Sequence, residues 1–359
     1  QHDTDATKAV TLNESTGMGI TQKSTGKPVL FNARRYTGTS AVRDINGYGF
    51  QPDLVWFKSR SHAYQHAMYD SLRGPLKVLL PNTTGAQATH TNTFTAFNSD
   101  GFSTGTDGDT FYINQVDKTY MAWAWQAGGA PSGELAGDGA TATLTNGVGN
   151  GTIHQNATGV SNVTSITQSV NQNGGFSITK YTGGGGATAA FPHNLGGTPD
   201  WIIIKRVTDS TYSWVVWHKD LTNATNSDNN VSNIYLDLGV GEQSATSGQH
   251  DHGAIAGPSS SVINVRQSGN VGNVNDSNKE YICYAWRAIP GVSAFGTYNG
   301  TGSTQTITTN FAPRFLLIKR KNASSNWFLV DAFRGANSSG HQLYFEAESN
   351  AVEQSSSTL

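Results

Sequence analysis

One stretch is written three times along this chain, and it limits the fold more than any other feature. It reads Phe50-Gln-Pro-Asp-Leu-Val-Trp-Phe-Lys58, then Leu195-Gly-Gly-Thr-Pro-Asp-Trp-Ile-Ile-Ile-Lys205, then Phe311-Ala-Pro-Arg-Phe-Leu-Leu-Ile-Lys319. In each copy a proline (Pro52, Pro199, Pro313) precedes a run of large apolar residues, and a lysine (Lys58, Lys205, Lys319) stands six positions after the proline. Proline fixes its own φ and lacks an N–H, so it suits the entry to a strand. An unbroken β-branched and aromatic run this short predicts a strand buried on both faces rather than a helix. The lysine is expected to return the chain to water. Repetition at matched spacing implies duplicated units.

Composition agrees with a turn-rich β protein. Only 13% of the 359 residues are charged, net charge is −2, and 41 residues are glycine. Gly and Asn accept positive φ in turns, and Thr fits pleated surfaces. The near-neutral balance gives no electrostatic case for nucleic acid. No apolar run is long enough to insert in a membrane, and the polar opening does not read as a signal peptide. The single cysteine, Cys283, excludes an intramolecular disulfide framework.

Around the repeated stretch the chain divides into an N-terminal arm (1–27), a first unit (28–129), a Gly/Thr/Asn-rich linker or weakly ordered strand pair (130–173), a second unit (174–289) and a partial third unit (290–359). The first unit closes on Tyr120-Met-Ala-Trp-Ala-Trp-Gln-Ala127 and the second on Tyr281-Ile-Cys-Tyr-Ala-Trp-Arg-Ala288, a shared Tyr-x-x-x-Ala-Trp-x-Ala pattern. Each unit opens on a Tyr-Thr-Gly or Tyr-Asn-Gly turn, at Tyr36, Tyr181 and Tyr298. From proline to closing tyrosine takes 68 positions in the first unit and 82 in the second, which would put a third closing strand near residues 381–395. The third unit is therefore expected to take a partner strand from another chain or from sequence beyond Leu359, since an open apolar edge invites aggregation. The expected fold is all-β: tandem antiparallel β-sandwich repeats, the third incomplete.

Four strings carry a resemblance: Gly49-Phe-Gln-Pro-Asp-Leu-Val-Trp-Phe-Lys58, Asp70-Ser-Leu-Arg-Gly74, Phe97-Asn-Ser-Asp-Gly-Phe102 and Tyr120-Met-Ala-Trp-Ala-Trp-Gln-Ala-Gly-Gly129. They look like repeats of large virion proteins of marine tailed bacteriophages, notably cyanophages, which are tail-fibre or structural proteins with concanavalin-like jelly-roll lectin modules. The resemblance is closest over 28–129, weaker over 174–289 and partial over 291–345. It implies a virion location, homo-oligomers (a trimer by analogy with phage fibres), contacts with other virion proteins and adhesion to host-surface glycans. A purely architectural decoration or tail component without glycan binding, and a secreted carbohydrate-active enzyme, are the alternatives.

Candidate chemistry is sparse. Trp214 and Trp217 lie three apart on one strand, so one could be exposed to stack on a sugar, although core packing is the default. The acidic turn ending Asp107-Gly-Asp109 offers carboxylates for Ca²⁺, while Asp-Gly pairs are equally ordinary hairpin turns. His250 and His252 place two imidazoles at i and i+2, which three chains around an axis could turn into a transition-metal site. Asp70 with Arg73 and Asp331 with Arg334 recur at matched spacing, twelve and fifteen positions after the lysine. That recurrence favours a structural ion pair over an acid–electrophile couple. The second unit departs from it, carrying His218-Lys-Asp220 instead. With no Gly-x-Ser-x-Gly, Walker loop or zinc pattern, no catalytic residue and no cofactor is assigned.

Overall fold

The chain is described by a computed structural model over residues 30–108, 112–135, 137, 139–210, 212–224, 231–244, 255–266 and 274–357. Its described residues form antiparallel β-sheets, as the turn-rich composition predicts.

The first unit comprises β1 (Phe31–Thr37), β2 (Arg43–Asn46), β3 (Leu54–Ser59), β4 (Ala67–Asp70), β5 (Lys77–Val78), β6 (Ala88–Thr89), β7 (Phe94–Asn98), β8 (Gly101–Thr104) and β9 (Thr119–Trp125). A four-stranded sheet runs β1-β9-β3-β4, and a three-stranded sheet runs β2-β8-β7. Side chains alternate along β3, so its two faces enter different cores. Val55 and Phe57 join Tyr69, Ala122, Phe94 and Phe102 in a core between the two sheets. Leu54 and Trp56 face the other way, into a core shared with the remaining units. This is why every residue of β3 is buried.

The second unit comprises β10 (Val148–Ile153), β11 (Val163–Asn171), β12 (Phe176–Gly183), β13 (Thr188–Pro192), β14 (Trp201–Arg206), β15 (Val215–His218), β16 (Ser232–Tyr235), β17 (Gln243–Ser244), β18 (Ile255–Pro258), β19 (Val262–Arg266) and β20 (Glu280–Trp286). Its main sheet has the order β10-β11-β12-β20-β14-β15-β16-β17, and β13-β19-β18 forms the second sheet. The registers repeat those of the first unit: Leu54 pairs with Trp125 and Asp70, while Trp201 pairs with Trp286 and His218. Of the two readings of segment 130–173, the strand pair holds and the linker does not. β10 and β11 add two strands to this sheet, and β11 buries Ile166 and Val170. Its isolated apolar residues conceal the role, because backbone pairing rather than side-chain burial sets most of it. The Gly128 position shows how close the approach is: an added Cβ would stand 2.1 Å from the Gly149 carbonyl oxygen.

The third unit has one sheet, β21 (Phe315–Lys319), β22 (Trp327–Asp331), β23 (Gln342–Glu346) and β24 (Gln354–Ser356), in that order. Phe315 pairs with Asp331 in the register of Leu54 with Asp70. Among the described residues no strand lies on the other edge of β21, where β9 borders β3 and β20 borders β14. Residues 291–314, which correspond to β1, β2, β12 and β13, form no strand. Their sister strands pair with the closing strand or the outer sheet, so without those neighbours they have nothing to pair with.

Candidate functional site

The repeated residues converge on the joints between units, and the joints follow one rule. Positions 66 and 214 stand just before, and position 327 opens, the strand that pairs with the lysine strand. In each unit this residue donates a ring N–H to a backbone carbonyl of the neighbouring unit. Trp214 Nε1 donates to Leu80 O at 3.1 Å, Trp327 Nε1 to Tyr235 O at 2.8 Å, and His66 Nε2 to Glu346 O at 3.1 Å. His66 Nδ1 accepts from Trp56 Nε1 at 2.9 Å, which leaves the proton of the neutral ring on Nε2. Burial first, and then the Lys58 charge, hold the His66 pKa well below the usual imidazole value. Backbone bonds repeat the pattern two residues beyond each lysine: Gln87 N–H reaches Val207 O at 3.0 Å, Glu353 N–H reaches Arg60 O at 3.0 Å, and Glu242 N–H reaches Lys321 O at 2.5 Å. The first unit thus sits on the third, the second on the first, and the third on the second. The ring closes within one chain.

The lysines are part of these joints rather than exits to water. Lys58 is 1% exposed and Lys205 0%. Lys58 Nζ donates to Ser59 O at 3.1 Å and across the joint to Asn350 O at 3.2 Å. Lys205 Nζ donates to Tyr212 O at 2.7 Å and across the joint to Thr84 O at 3.0 Å. Lys319, half-buried, donates to Ser325 O, and the Ser325 N–H reaches Gly239 O of the second unit at 2.7 Å. Burial pushes the Lys58 ammonium down to about 7 and Lys205 down to about 8. The sequence reading failed here because a lysine after an apolar run normally snorkels to solvent. The next unit, packed over the strand end, removes that route.

The aspartate–arginine pairs have the same architectural role. Asp70 pairs with Arg73 and Asp331 with Arg334, all with fully buried side chains. Asp70 Oδ2 accepts from Tyr284 OH of the second unit at 2.7 Å, and Asp331 Oδ2 accepts from Trp123 Nε1 of the first at 3.1 Å. Tyr284 and Trp123 occupy the same position of the two closing strands. Arg334 reaches back to Leu329 O, and Arg73 to Met68 O, so each guanidinium also satisfies a strand carbonyl. The Pro-Asp element is explained too: Asp53 Oδ2 accepts from Ala127 N–H at 2.7 Å, and Asp200 Oδ2 from Ala288 N–H at 2.6 Å. Each aspartate pins the end of its own closing strand.

Between these polar joints the three units meet in aromatic packing. Trp125 lies 6.2 Å from Trp286 and 5.3 Å from Phe315, ring centre to ring centre, and Trp201 stacks on Trp286 at 4.6 Å. A small gap there is lined by Leu54, Trp56, Met68, Trp125, Trp201, Ile203, Trp286 and Phe315, with no polar group to orient a ligand.

The expected glycan residues are corrected by this packing. Trp214 is 0% exposed and Trp217 2%. Trp214 is committed to the joint, and Trp217 Nε1 donates to Ala224 O at 2.8 Å inside the second unit. Neither can stack on a sugar. The buried Asp107 carboxylate accepts the Asn114 N–H at 2.7 Å, and Asp100-Gly101 forms the β7–β8 turn. Asp109, His250 and His252 lie outside the described residues; among those described, no three metal-ligating side chains cluster. Sequence reasoning missed position 66/214/327 because its residue type changes from His to Trp. Its place at the entry to the second apolar strand was the available signal.

The profile of a family described as a domain of unknown function, DUF7483, matches residues 28–149 and again 148–359. The chain belongs to this family. The division at 148–149 falls at the start of β10, the strand that opens the second unit's sheet. No curated protein and no solved structure matches the chain.

Proposed function

We propose that this chain is a non-enzymatic structural protein of a phage particle, a segment of a tail fibre, capsid fibre or similar appendage, whose contribution is architectural. The observation that carries the architectural part is the fate of its repeated ionisable residues. Asp70, Asp331, Arg334, Lys58 and Lys205 are each 2% exposed or less, and the Arg73 side chain is 1% exposed. Each is engaged in holding strands or neighbouring units. A duplicated catalytic pair would need access to substrate, which this burial denies. The virion location rests on the resemblance of the repeat strings. Three units closed into a ring would give a fibre segment a rigid node with many surface loops.

Adhesion, where it occurs, is then carried by surfaces other than Trp214 and Trp217. The test is localisation: antibodies against residues 28–129 should label one appendage of purified particles in electron micrographs. Absence of the protein from particles would reject the reading, as would turnover of a polysaccharide by the purified chain. A glycan array separates adhesin from scaffold.

A further inference from the structure

Among the described residues, the third unit presents an open strand edge at a place where its two sister units hold the same kind of strand. β3 is bordered by β9 and β14 by β20, with the tryptophan of the Ala-Trp pair opposite the second residue after the proline in both cases. β21 keeps the register of β3 and β14 on its other side, so its free edge has the geometry of theirs. A neighbouring feature responds as removal of a closing strand requires. Tyr298 is 49% exposed, whereas Tyr36 and Tyr181 stack on Tyr120 and Tyr281 of their closing strands at 5.3 and 5.1 Å.

The ring makes a second, independent demand. The closing strand of the first unit bonds Asp331 of the third, and that of the second bonds Asp70 of the first. Continued once more, the closing strand of the third unit bonds the second unit at the position of Asp70. By register that residue is His218, paired with Trp201 as Asp70 is paired with Leu54. His218 Nδ1 accepts the Asp220 N–H at 3.1 Å, so Nε2 carries the proton of the neutral ring. A proton-bearing nitrogen here, in place of a carboxylate, calls for an acceptor. A tyrosine hydroxyl can supply one and an indole cannot.

We propose that the free edge of β21 is a docking site for an antiparallel strand of the Tyr-x-x-Tyr-Ala-Trp type, donated by a further repeat of this family, which extends the sheet of the third unit and bonds His218. Such addition of a strand to a sheet edge draws affinity from main-chain bonds and specificity from alternate side chains. One difference from the sister units bears on the occupant. Arg314 stands where Asp53 and Asp200 pin the strand end. The carboxylate that accepts the N–H at the end of the closing strand in the sister units is therefore missing from the third, and the incoming strand is held there by one bond fewer.

The test uses the full chain and a synthetic peptide with the sequence of residues 279–288, carrying solubilising tails. Binding is read by fluorescence titration, and backbone amide exchange of residues 315–319 is followed by mass spectrometry. The expected result is saturable binding, with exchange of the β21 amides slowed tenfold or more. The peptide with its Tyr284→Ala and Trp286→Ala changes should bind at least tenfold more weakly. Equal effects of the native and altered peptides, or no protection of β21, would overturn the proposal. So would a dimer in sedimentation whose β21 amides are already protected and resist the peptide, because a second copy would then be the occupant.

Discussion

Lysine 58 offers the sharpest test of the joints, because its buried ammonium ties stability to pH. In the unfolded chain a lysine titrates near ~10.4, and in the folded protein burial holds Lys58 at about 7. Between these values the unfolded state binds more protons, so stability rises with pH. At ~1.4 kcal/mol per pH unit for a full proton, Lys58 contributes a gain of about 3 kcal/mol from pH 7 to 9.5. Lys205, held at about 8, adds about 2 kcal/mol over the same range. Above pH ~10 the buried tyrosines oppose this trend, since burial raises Tyr48 and Tyr181. Replacing Lys58 by Met keeps most of the volume and removes the titration. It also leaves the Ser59 and Asn350 carbonyls without their Nζ donor, a cost of about 1–3 kcal/mol for each orphaned group. Guanidinium unfolding at half-unit pH steps should therefore show K58M less stable than the parent at pH 9.5. The two should converge towards pH 7, as the variant keeps only the shallower slope of Lys205. An unchanged slope in K58M would refute the burial of this lysine and the joint built on it.

Four further outcomes follow. Asp70→Asn should destabilise by about 3–5 kcal/mol by leaving Arg73 buried without its counter-charge, and in a double-mutant cycle with Tyr284→Phe the two changes should not add, because both act on one bond between units. Trp327→Phe keeps an aromatic side chain but removes the N–H and strands the Tyr235 carbonyl; denaturant midpoints should report a loss of about 1–3 kcal/mol from the orphaned carbonyl, to which the smaller ring adds a cavity cost. Gly128→Ala should lower the melting temperature and speed amide exchange in β10, because its Cβ collides with the Gly149 carbonyl. Calorimetry of the whole chain should show one main transition, since residues of all three units share a single apolar core; three separate transitions would mean independent domains.

The strands were legible where side chains carry the signal. The apolar runs at 54–57, 201–204 and 315–318, the closing strands at 120–125 and 281–286, and the Asp100-Gly101 turn were all readable, because alternation, β-branching and turn chemistry are local properties. β10 and β11 were legible only as one of two readings, since Gly, Asn and Thr pair through their backbones and their few apolar residues stand isolated. The site was legible only as recurrence. Matched spacing marked Lys58, Lys205, Asp70, Arg73, Asp331 and Arg334 as important without saying what they touch.

By itself, then, the sequence determined an all-β chain with three related stretches, because repeated patterns and counts along the chain are independent of how the units meet. Only the tertiary structure decided that the units close into a ring. That arrangement buries the lysines at about 7 and 8 rather than sending them to water. It also turns Trp214 from a candidate sugar platform into a hydrogen-bond donor to Leu80 O. The physical reason is that exposure belongs to the assembled surface. A lysine or tryptophan at the end of a strand meets solvent or a neighbouring carbonyl according to what packs over it, and those neighbours lie 92 to 292 residues away in the chain.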